Sequence, residues 1–359
     1  MNFQRLHLDK TMFYALLALA LVSVLTVYSA SGKDLGTTGS HALRLLFGFG
    51  VLLAVAQVRP DNFERWSPHL FAVGLGLLIL VLLIGTIGKG AQRWLNLGVV
   101  RFQPSEIMKL ALPMMLAWYL ARADLPPTLV RLGGAFLIAL VPAVLIARQP
   151  DLGTGTLVFA AGAFTLFLAG MRWGVIAVLA AGVAAALPIL WNVMHDYQRH
   201  RVLTLFDPES DPLGTGYHTI QSMIAVGSGG FYGKGWLNSS QAHLEYLPEA
   251  GTDFIFAVFA EEFGLIGGLI LLGLYVFVGL RAMLIAFYAQ NAYARLLAGG
   301  LGLIFFFSFF VNIGMVVGIL PIVGVPLPVM SYGGTSIVTV MAGFGIMMSI
   351  QTHRRIVEH

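Results

Sequence analysis

Long apolar runs alternate with short polar connections along most of the chain. We expect ten membrane spans, near residues 11–30, 42–58, 68–87, 104–121, 132–147, 153–170, 173–194, 255–287, 294–320 and 333–350. A helix needs about 20 apolar residues to cross a bilayer. The run at 255–287 is longer than that, so it is predicted to tilt or protrude. The pattern predicts an all-α, polytopic membrane protein with about ten transmembrane helices.

Composition supports a bilayer environment and excludes several other classes. The 359 residues are 58% hydrophobic and 11% charged, whereas soluble domains carry about a quarter charged residues. A net charge of +4, spread between apolar runs, does not favour nucleic acid as a partner. The absence of cysteine excludes disulfides and thiolate metal sites. We expect a single integral membrane domain over residues 1–359.

The distribution of basic residues predicts the orientation, because cytoplasmic loops are enriched in Lys and Arg. With an even number of spans, both termini share one side with eleven cations, against five in the opposite short loops. Both termini are therefore predicted to be cytoplasmic. The polar segment 195–252 becomes one large extracytoplasmic loop. The first span is too long for a typical signal-peptide core, so we expect it to be retained.

Three of the five outward cations occur in the loop that begins "GKGAQRWLNLGVVRFQPSEIMKLALP". Lys89, Arg93 and Arg101 precede a predicted helix start at "QPSE", where Glu106 and Lys109 lie three residues apart on one helix face. One interpretation is a helix cap with a local ion pair. The other is a site that binds phosphate or diphosphate, since ionisable pairs at a membrane helix end are usually functional.

Two further outward segments carry candidate site residues. In "ARQPDLGTG", Asp151 either caps the next helix or faces the same outer cavity as the cations. In "GSGGFYGKGW", Lys234 lies in a glycine-rich stretch whose backbone N–H groups are predicted, as one alternative to an ordinary turn, to cradle an anion. Tyr217, Ile220 and Ile224 indicate a short amphipathic helix earlier in the same loop. Its histidines are irregularly spaced and do not favour a zinc site.

The segment "PEAGTDFIFAVFAEEFG" places Asp253 at the mouth of an apolar run. It either caps the helix that follows or acts as a base at the rim of an apolar cavity; Glu249 is the nearby alternative. Glu261 and Glu262 are expected about two turns deeper, with at least one paired to another helix. Downstream, the prolines of "GILPIVGVPLPVMSYGG" forbid a continuous helix. Such a break indicates either a tight re-entrant turn or the wall of a site.

Together these motifs resemble the SEDS family (shape, elongation, division and sporulation), from "GAQRW…RFQPSE" through "QPDLGT", "HDYQRHR" and "DPESDPLGTGYH" to "NIGMVVGILPIVGVPLPVMSYGGTS". "RFQPSE" and "HDYQR" are similar to the RodA branch. The resemblance implies a peptidoglycan glycosyltransferase of the bacterial cytoplasmic membrane. It would polymerise lipid II beside a class B penicillin-binding protein.

The resemblance also assigns roles to residues. The essential aspartate of the family matches Asp253, which would take the proton from the acceptor sugar hydroxyl. Positions regarded as functional in the family match Arg93, Arg101, Glu106, Lys109, Asp151 and Lys234. The cations among them would stabilise the diphosphate leaving group. A divalent cation, Mg²⁺ or Mn²⁺, is a further candidate for that task.

Two other functions fit part of the pattern. Ten spans, broken helices and intramembrane charges are also typical of transporters, here a lipid II flippase. However, the chain shows no paired halves with matching interruptions, and its polar groups crowd toward one face. A scaffold that only anchors the penicillin-binding protein is the third reading, and it would leave the cationic loop without a task.

Overall fold

The structure, a computed structural model, describes residues 6–88, 91–96, 101–194, 199, 203–205, 207, 215–244, 246–247 and 249–353. The first half of the chain forms α1 (Lys10–Ala30), α2 (Leu35–Ala56), α3 (Pro60–Ile84), α4 (Pro104–Ala121), α5 (Leu129–Ala147), α6 (Leu152–Leu168) and α7 (Trp173–Val193). The second half forms α8 (Thr215–Ser228), α9 (Ser240–His243), α10 (Ile255–Phe287), α11 (Ala292–Val316) and α12 (Gly334–Thr352).

Ten of these helices, α1–α7 and α10–α12, fall on the ten predicted spans. Among the described residues, seven helices are long and apolar enough to cross a membrane. The prediction of an all-α, polytopic membrane protein is confirmed. The helices α2 and α3 begin about a turn or two before the apolar runs. Asp34 caps α2 through the backbone N–H groups of Gly36 and Thr37, and Pro60 opens α3.

A small antiparallel sheet between α3 and α4 was not predicted. It contains β1 (Thr86–Gly88), β2 (Ala91–Asn96) and β3 (Arg101–Phe102), in the order β1-β2-β3. Its signal is present in the sequence, since short runs of β-formers are separated there by Gly-containing turns. The sheet places Arg93 on β2, next to the start of α4.

Glycines allow the helices of the bundle to approach closely, as in other membrane proteins. In the pair formed by α2 and α12, a β-carbon on Gly345 would lie 2.8 Å from the carbonyl oxygen of Leu52, and one on Gly48 would lie 2.9 Å from Ile337. The helix α11 is the most buried of the seven candidate spans.

The long helix α10 is broken at Gly264, where φ is 65° and ψ is −165°. The outer-loop residues after α8 enter this break. Their carbonyls accept from the N–H groups that follow it, Leu265 to Gly230 at 2.8 Å and Ile266 to Phe231 at 3.2 Å. The predicted run at 255–287 is therefore present but interrupted, and its tilt or protrusion from the bilayer stays a prediction. The element is a short buried helix followed by a membrane-length one.

The predicted amphipathic helix in the outer loop is present as α8, but its buried face is not the apolar one. Thr219, Ser222 and Ala225 are buried, and Ser222 Oγ donates to the carbonyl of Val316 at 2.9 Å. The apolar Ile224 stays 45% exposed. Small residues therefore let α8 pack tightly on the bundle.

Replacement of Gly264 by alanine tests the helix break. A β-carbon at this position would collide with the backbone of Gly233. The alanine would also have to adopt the positive φ that Gly264 has in the structure. We expect Gly264→Ala to destabilise the protein by about 2 kcal/mol, measured as a lower Tm in detergent. Gly273→Ala in the same helix is the control, because nothing lies within 4 Å of its added β-carbon. Equal Tm values for the two variants would contradict the break.

Candidate functional site

Asp253 lies in a turn that packs against the proline-rich segment 317–333. Two hydrogen bonds fix the turn: Tyr332 N donates to the carbonyl of Gly251 at 2.8 Å, and Ser331 Oγ donates to that of Thr252 at 2.6 Å. These bonds join the residues immediately before Asp253 to the wall formed by the broken segment.

The N-cap residue of α10 is Phe254 and not Asp253. The capping alternative is therefore wrong. Asp253 is half-buried, and a β-carbon placed on Gly324 would lie 3.5 Å from its Oδ2. The carboxylate thus faces the middle of segment 317–333.

Segment 317–333 contains no helix or strand, as its three prolines predicted. Several of its backbone polar groups bond to side chains of the protein. Ser331 Oγ accepts from Leu327 N at 2.7 Å, and Asn312 Nδ2 donates to the carbonyl of Val325 at 2.7 Å. Irregular backbone inside a membrane protein needs such partners, so this segment is a built wall of the site.

Asp151 joins the elements on the other side of the site. Its Oδ2 accepts from Gln103 Nε2 at 2.9 Å and lies 3.4 Å from Arg93 Nη1, while its Oδ1 accepts from Thr154 N at 3.2 Å. Asp151 is therefore both the cap of α6 and the partner of an arginine. The cap reading is confirmed, whereas the reading that Asp151 faces an outer cavity stays a prediction.

Glu106 and Lys109 form the predicted ion pair in the first turns of α4. Lys109 Nζ lies 2.6 Å from Glu106 Oε1, and their side chains are 12% and 6% exposed. Glu106 Oε2 and Arg93 Nε are buried without a hydrogen-bond partner among the described residues. Buried polar atoms are rarely left unpaired, so these two are candidates to bond a substrate.

The broken segment connects the cationic residues to Asp253. Gly153, two residues after Asp151, packs so closely on the carbonyl oxygen of Val323 that a β-carbon would collide with it. Val325 and Pro326 line the same small cavity as Lys109. Between these contacts, Gly324 lies beside the Asp253 carboxylate. The elements that carry the acid and the cations therefore meet across residues 323–326.

Lys234 has a different environment from the one predicted. The N–H groups of Gly233, Lys234 and Gly235 donate to the carbonyls of Gly229, Glu261 and Glu262, so they cannot cradle an anion. That prediction is wrong, because the glycine-rich stretch fills the break in α10. Lys234 Nζ lies 2.6 Å from the buried Glu261. Its role in substrate binding stays a prediction.

Glu261 and Glu262 hold residues 234–241 of the outer loop on the bundle. Glu261 accepts from Ser239 Oγ at 2.5 Å and from Ser240 Oγ at 2.7 Å. Glu262 accepts from Ser29 of α1 and from Leu237 N. The expectation that at least one of the two pairs with another helix is confirmed.

Arg101 is placed only by its backbone, in β3 opposite Asn96, and its side chain lies outside the described part. Lys89 lies outside the described residues altogether. Within the described ranges, no group of three or more His, Asp or Glu side chains is placed to hold a metal ion. The divalent cation stays a prediction from the resemblance.

Two polar residues of the site received no role from sequence. Gln103 was read only as part of a helix start, although it orients Asp151. Asn312 was read only as the beginning of the broken segment's motif, although it donates to the carbonyl of Asp253 at 2.9 Å. A buried polar residue in an otherwise apolar helix was the available signal for Asn312.

The chain belongs to the family of cell cycle proteins that includes FtsW, RodA and SpoVE, and the family model matches residues 6–356. It is 54% identical over 355 residues to the peptidoglycan glycosyltransferase MrdB of Escherichia coli K12, covering 99% of this chain and 96% of that protein. The resemblance drawn from the motifs is confirmed.

Solved structures support the same assignment. A chain from a peptidoglycan synthase complex that coordinates polymerization and crosslinking is 30% identical with a TM-score of 0.84, covering 96% of this chain and 97% of that one. The rod shape determining protein RodA of Thermus thermophilus is 26% identical with a TM-score of 0.73, covering 96% of each chain. The fold of the family therefore extends over nearly the whole chain.

Removal of the Asp151 side chain tests its connecting role. Asp151→Ala deprives α6 of its cap and leaves Gln103 and Arg93 without their acceptor, so we expect a loss of about 2 kcal/mol in stability. Thermal unfolding of the purified protein measures it, with Asp124→Ala at an exposed position as control. A Tm for Asp151→Ala equal to that of the control would show that the contacts contribute nothing.

Proposed function

We propose that this chain is a peptidoglycan glycosyltransferase that polymerises lipid II, with Asp253 as the general base. The observation that carries the proposal is the meeting of the two halves of the site across residues 323–326. One half presents a carboxylate, and the other presents Arg93 and Lys109. Glycan polymerisation requires both, a base for the acceptor and positive charge for the leaving group.

The acceptor half of the reaction belongs to Asp253. Its carboxylate takes the proton of the acceptor sugar hydroxyl as the oxygen attacks the anomeric carbon of the donor. Attack on the face opposite the leaving group inverts the configuration at that carbon. The turn anchored by Ser331 and Tyr332 keeps the base in one place, and such fixed geometry lowers the entropic part of the barrier.

The donor half belongs to the cationic residues. As the bond from the anomeric carbon to the diphosphate oxygen breaks, negative charge grows on the diphosphate. Arg93 offers a planar guanidinium suited to phosphate, and Lys109 offers a compact charge. Asp151 and Glu106 hold the two cations in place before substrate arrives, which is the preorganised arrangement that favours transition-state charge.

The setting of the enzyme follows from the same relationships. We place it in the bacterial cytoplasmic membrane with both termini in the cytoplasm and the Asp253 turn on the outer side. The excess of Lys and Arg on the side of the termini supports this orientation. The synthase complex among its structural relatives supports a class B penicillin-binding protein as partner. The lipid tail of the substrate would remain in the bilayer.

Loss of the base should abolish polymerisation. Purified Asp253→Ala, incubated with lipid II and read as polymer on a gel, is expected to fold and to form no glycan chains, because no group accepts the hydroxyl proton. Glu249→Ala is the matched control for the nearby acid, which is exposed and accepts from Thr252 Oγ1. Near-normal polymer from Asp253→Ala would show that Asp253 is not the base. Loss of polymer only in Glu249→Ala would assign that role to Glu249.

The same assay separates the proposed enzyme from its two rivals. Polymer made by the purified wild-type protein, with and without the penicillin-binding protein, excludes a pure scaffold. A flippase would move lipid II between leaflets of a vesicle and make no polymer.

The two cations should affect donor use. Arg93→Ala and Lys109→Ala each leave the diphosphate with less compensating charge, so we expect kcat/KM for lipid II to fall by roughly 10- to 100-fold. Steady-state kinetics measure the effect, with Arg148→Ala as a control at an exposed arginine near Asp151. If both variants kept wild-type kinetics, the site would not bind the diphosphate as described.

A further inference from the structure

Asn312 is a fully buried polar residue on α11, the central helix of the bundle. Its Nδ2 donates two hydrogen bonds, to the carbonyl of Asp253 at 2.9 Å and to the carbonyl of Val325 at 2.7 Å. One amide group therefore joins the backbone of the candidate base to the backbone of the broken segment.

The orientation of this amide is determined by its partners. Both neighbours of Nδ2 are carbonyl oxygens, which accept hydrogen bonds and cannot donate them. A flipped amide would direct an oxygen at two oxygens. The remaining atom, Asn312 Oδ1, is buried and has no hydrogen-bond partner in the described part of the chain. A buried acceptor without a donor is unfavourable. The two hydrogen bonds that Nδ2 donates therefore account for the presence of a buried asparagine at this position.

The position of the two carbonyls explains why those bonds matter. Asp253 precedes the N-cap of α10, so its carbonyl lies outside the hydrogen-bond ladder of that helix. Val325 follows Gly324, the residue beside the Asp253 carboxylate, and it lines the same cavity as Lys109. Asn312 thus fixes the distance between the base and the wall that leads to the cations.

We propose that Asn312 is a positioning residue, which holds the main chain of Asp253 in register with residues 323–326 so that the carboxylate meets the acceptor hydroxyl. The inference rests on the proposed function. Ser331 and Tyr332 anchor the turn before Asp253, and Asn312 anchors Asp253 itself. Without it the carboxylate is still present but is no longer held at a fixed place relative to the donor.

Two substitutions test the role. Asn312→Ala removes both bonds, and Asn312→Asp keeps the shape but presents oxygen to two carbonyl oxygens. We expect kcat for lipid II polymerisation to fall roughly 100-fold, because small displacements of a catalytic group have effects of that size. KM should stay within about 2-fold, since the cations that bind the donor are unchanged. Ser308→Ala is the matched control, because Ser308 lies one turn earlier on α11 and donates only to the carbonyl of Ile304 within the same helix.

Hydrogen exchange gives a readout that does not depend on activity. In the Asn312 variants, peptides covering 249–257 and 322–332 should exchange faster, while those covering α12 should not. Near-wild-type kcat in both variants, or a loss of kcat accompanied by uniformly faster exchange over the bundle, would overturn the positioning role. The Asp253→Ala variant, measured in the same assay, distinguishes a failure of the proposed base from a failure of the proposed positioning role of Asn312. If that variant still polymerises, the assignment of the base fails, whatever the Asn312 variants do.

Discussion

The structure depends on one constraint, that irregular backbone inside a membrane protein must find its hydrogen-bond partners within the protein. The prolines of segment 317–333 prevent it from being helical. Its backbone polar groups therefore form hydrogen bonds with Asn312, with Ser331 and with the residues before α10. The bonds that satisfy this segment are the ones that fix Asp253. Stability of the irregular wall and placement of the carboxylate therefore have a common origin.

The same constraint explains the second break in the bundle. At Gly264 the backbone hydrogen bonds of α10 are interrupted. The glycine-rich loop after α8 supplies carbonyl acceptors for the N–H groups that follow the break. Glu261 and Glu262 then tie that loop to the bundle through Lys234, Ser29 and backbone N–H groups. Charged residues near an apolar environment are unfavourable unless paired. The pairing here makes residues 229–241 of the outer loop part of the fold.

The sequence was sufficient to predict features that depend on a single segment of the chain. Apolar runs predicted the ten helices α1–α7 and α10–α12, and a spacing of three residues predicted the contact between Glu106 and Lys109. It was insufficient where the partner is far away in the chain. Nothing local shows that Gln103 orients Asp151, that Lys234 pairs with Glu261, or that Asn312 holds Asp253, because each contact depends on how distant elements pack. The small sheet could have been predicted, since short runs of β-formers separated by glycine are a local signal in the sequence.

The central claim is that a carboxylate and two fixed cations, carried by elements that meet at residues 323–326, act in one glycosyl transfer. A structure of the Asp253→Asn variant with bound lipid II measures it most directly. The account predicts the diphosphate against Arg93 and Lys109, with a sugar hydroxyl about 3 Å from the side chain at position 253. A diphosphate bound away from both cations, with residue 253 facing no sugar, would contradict it.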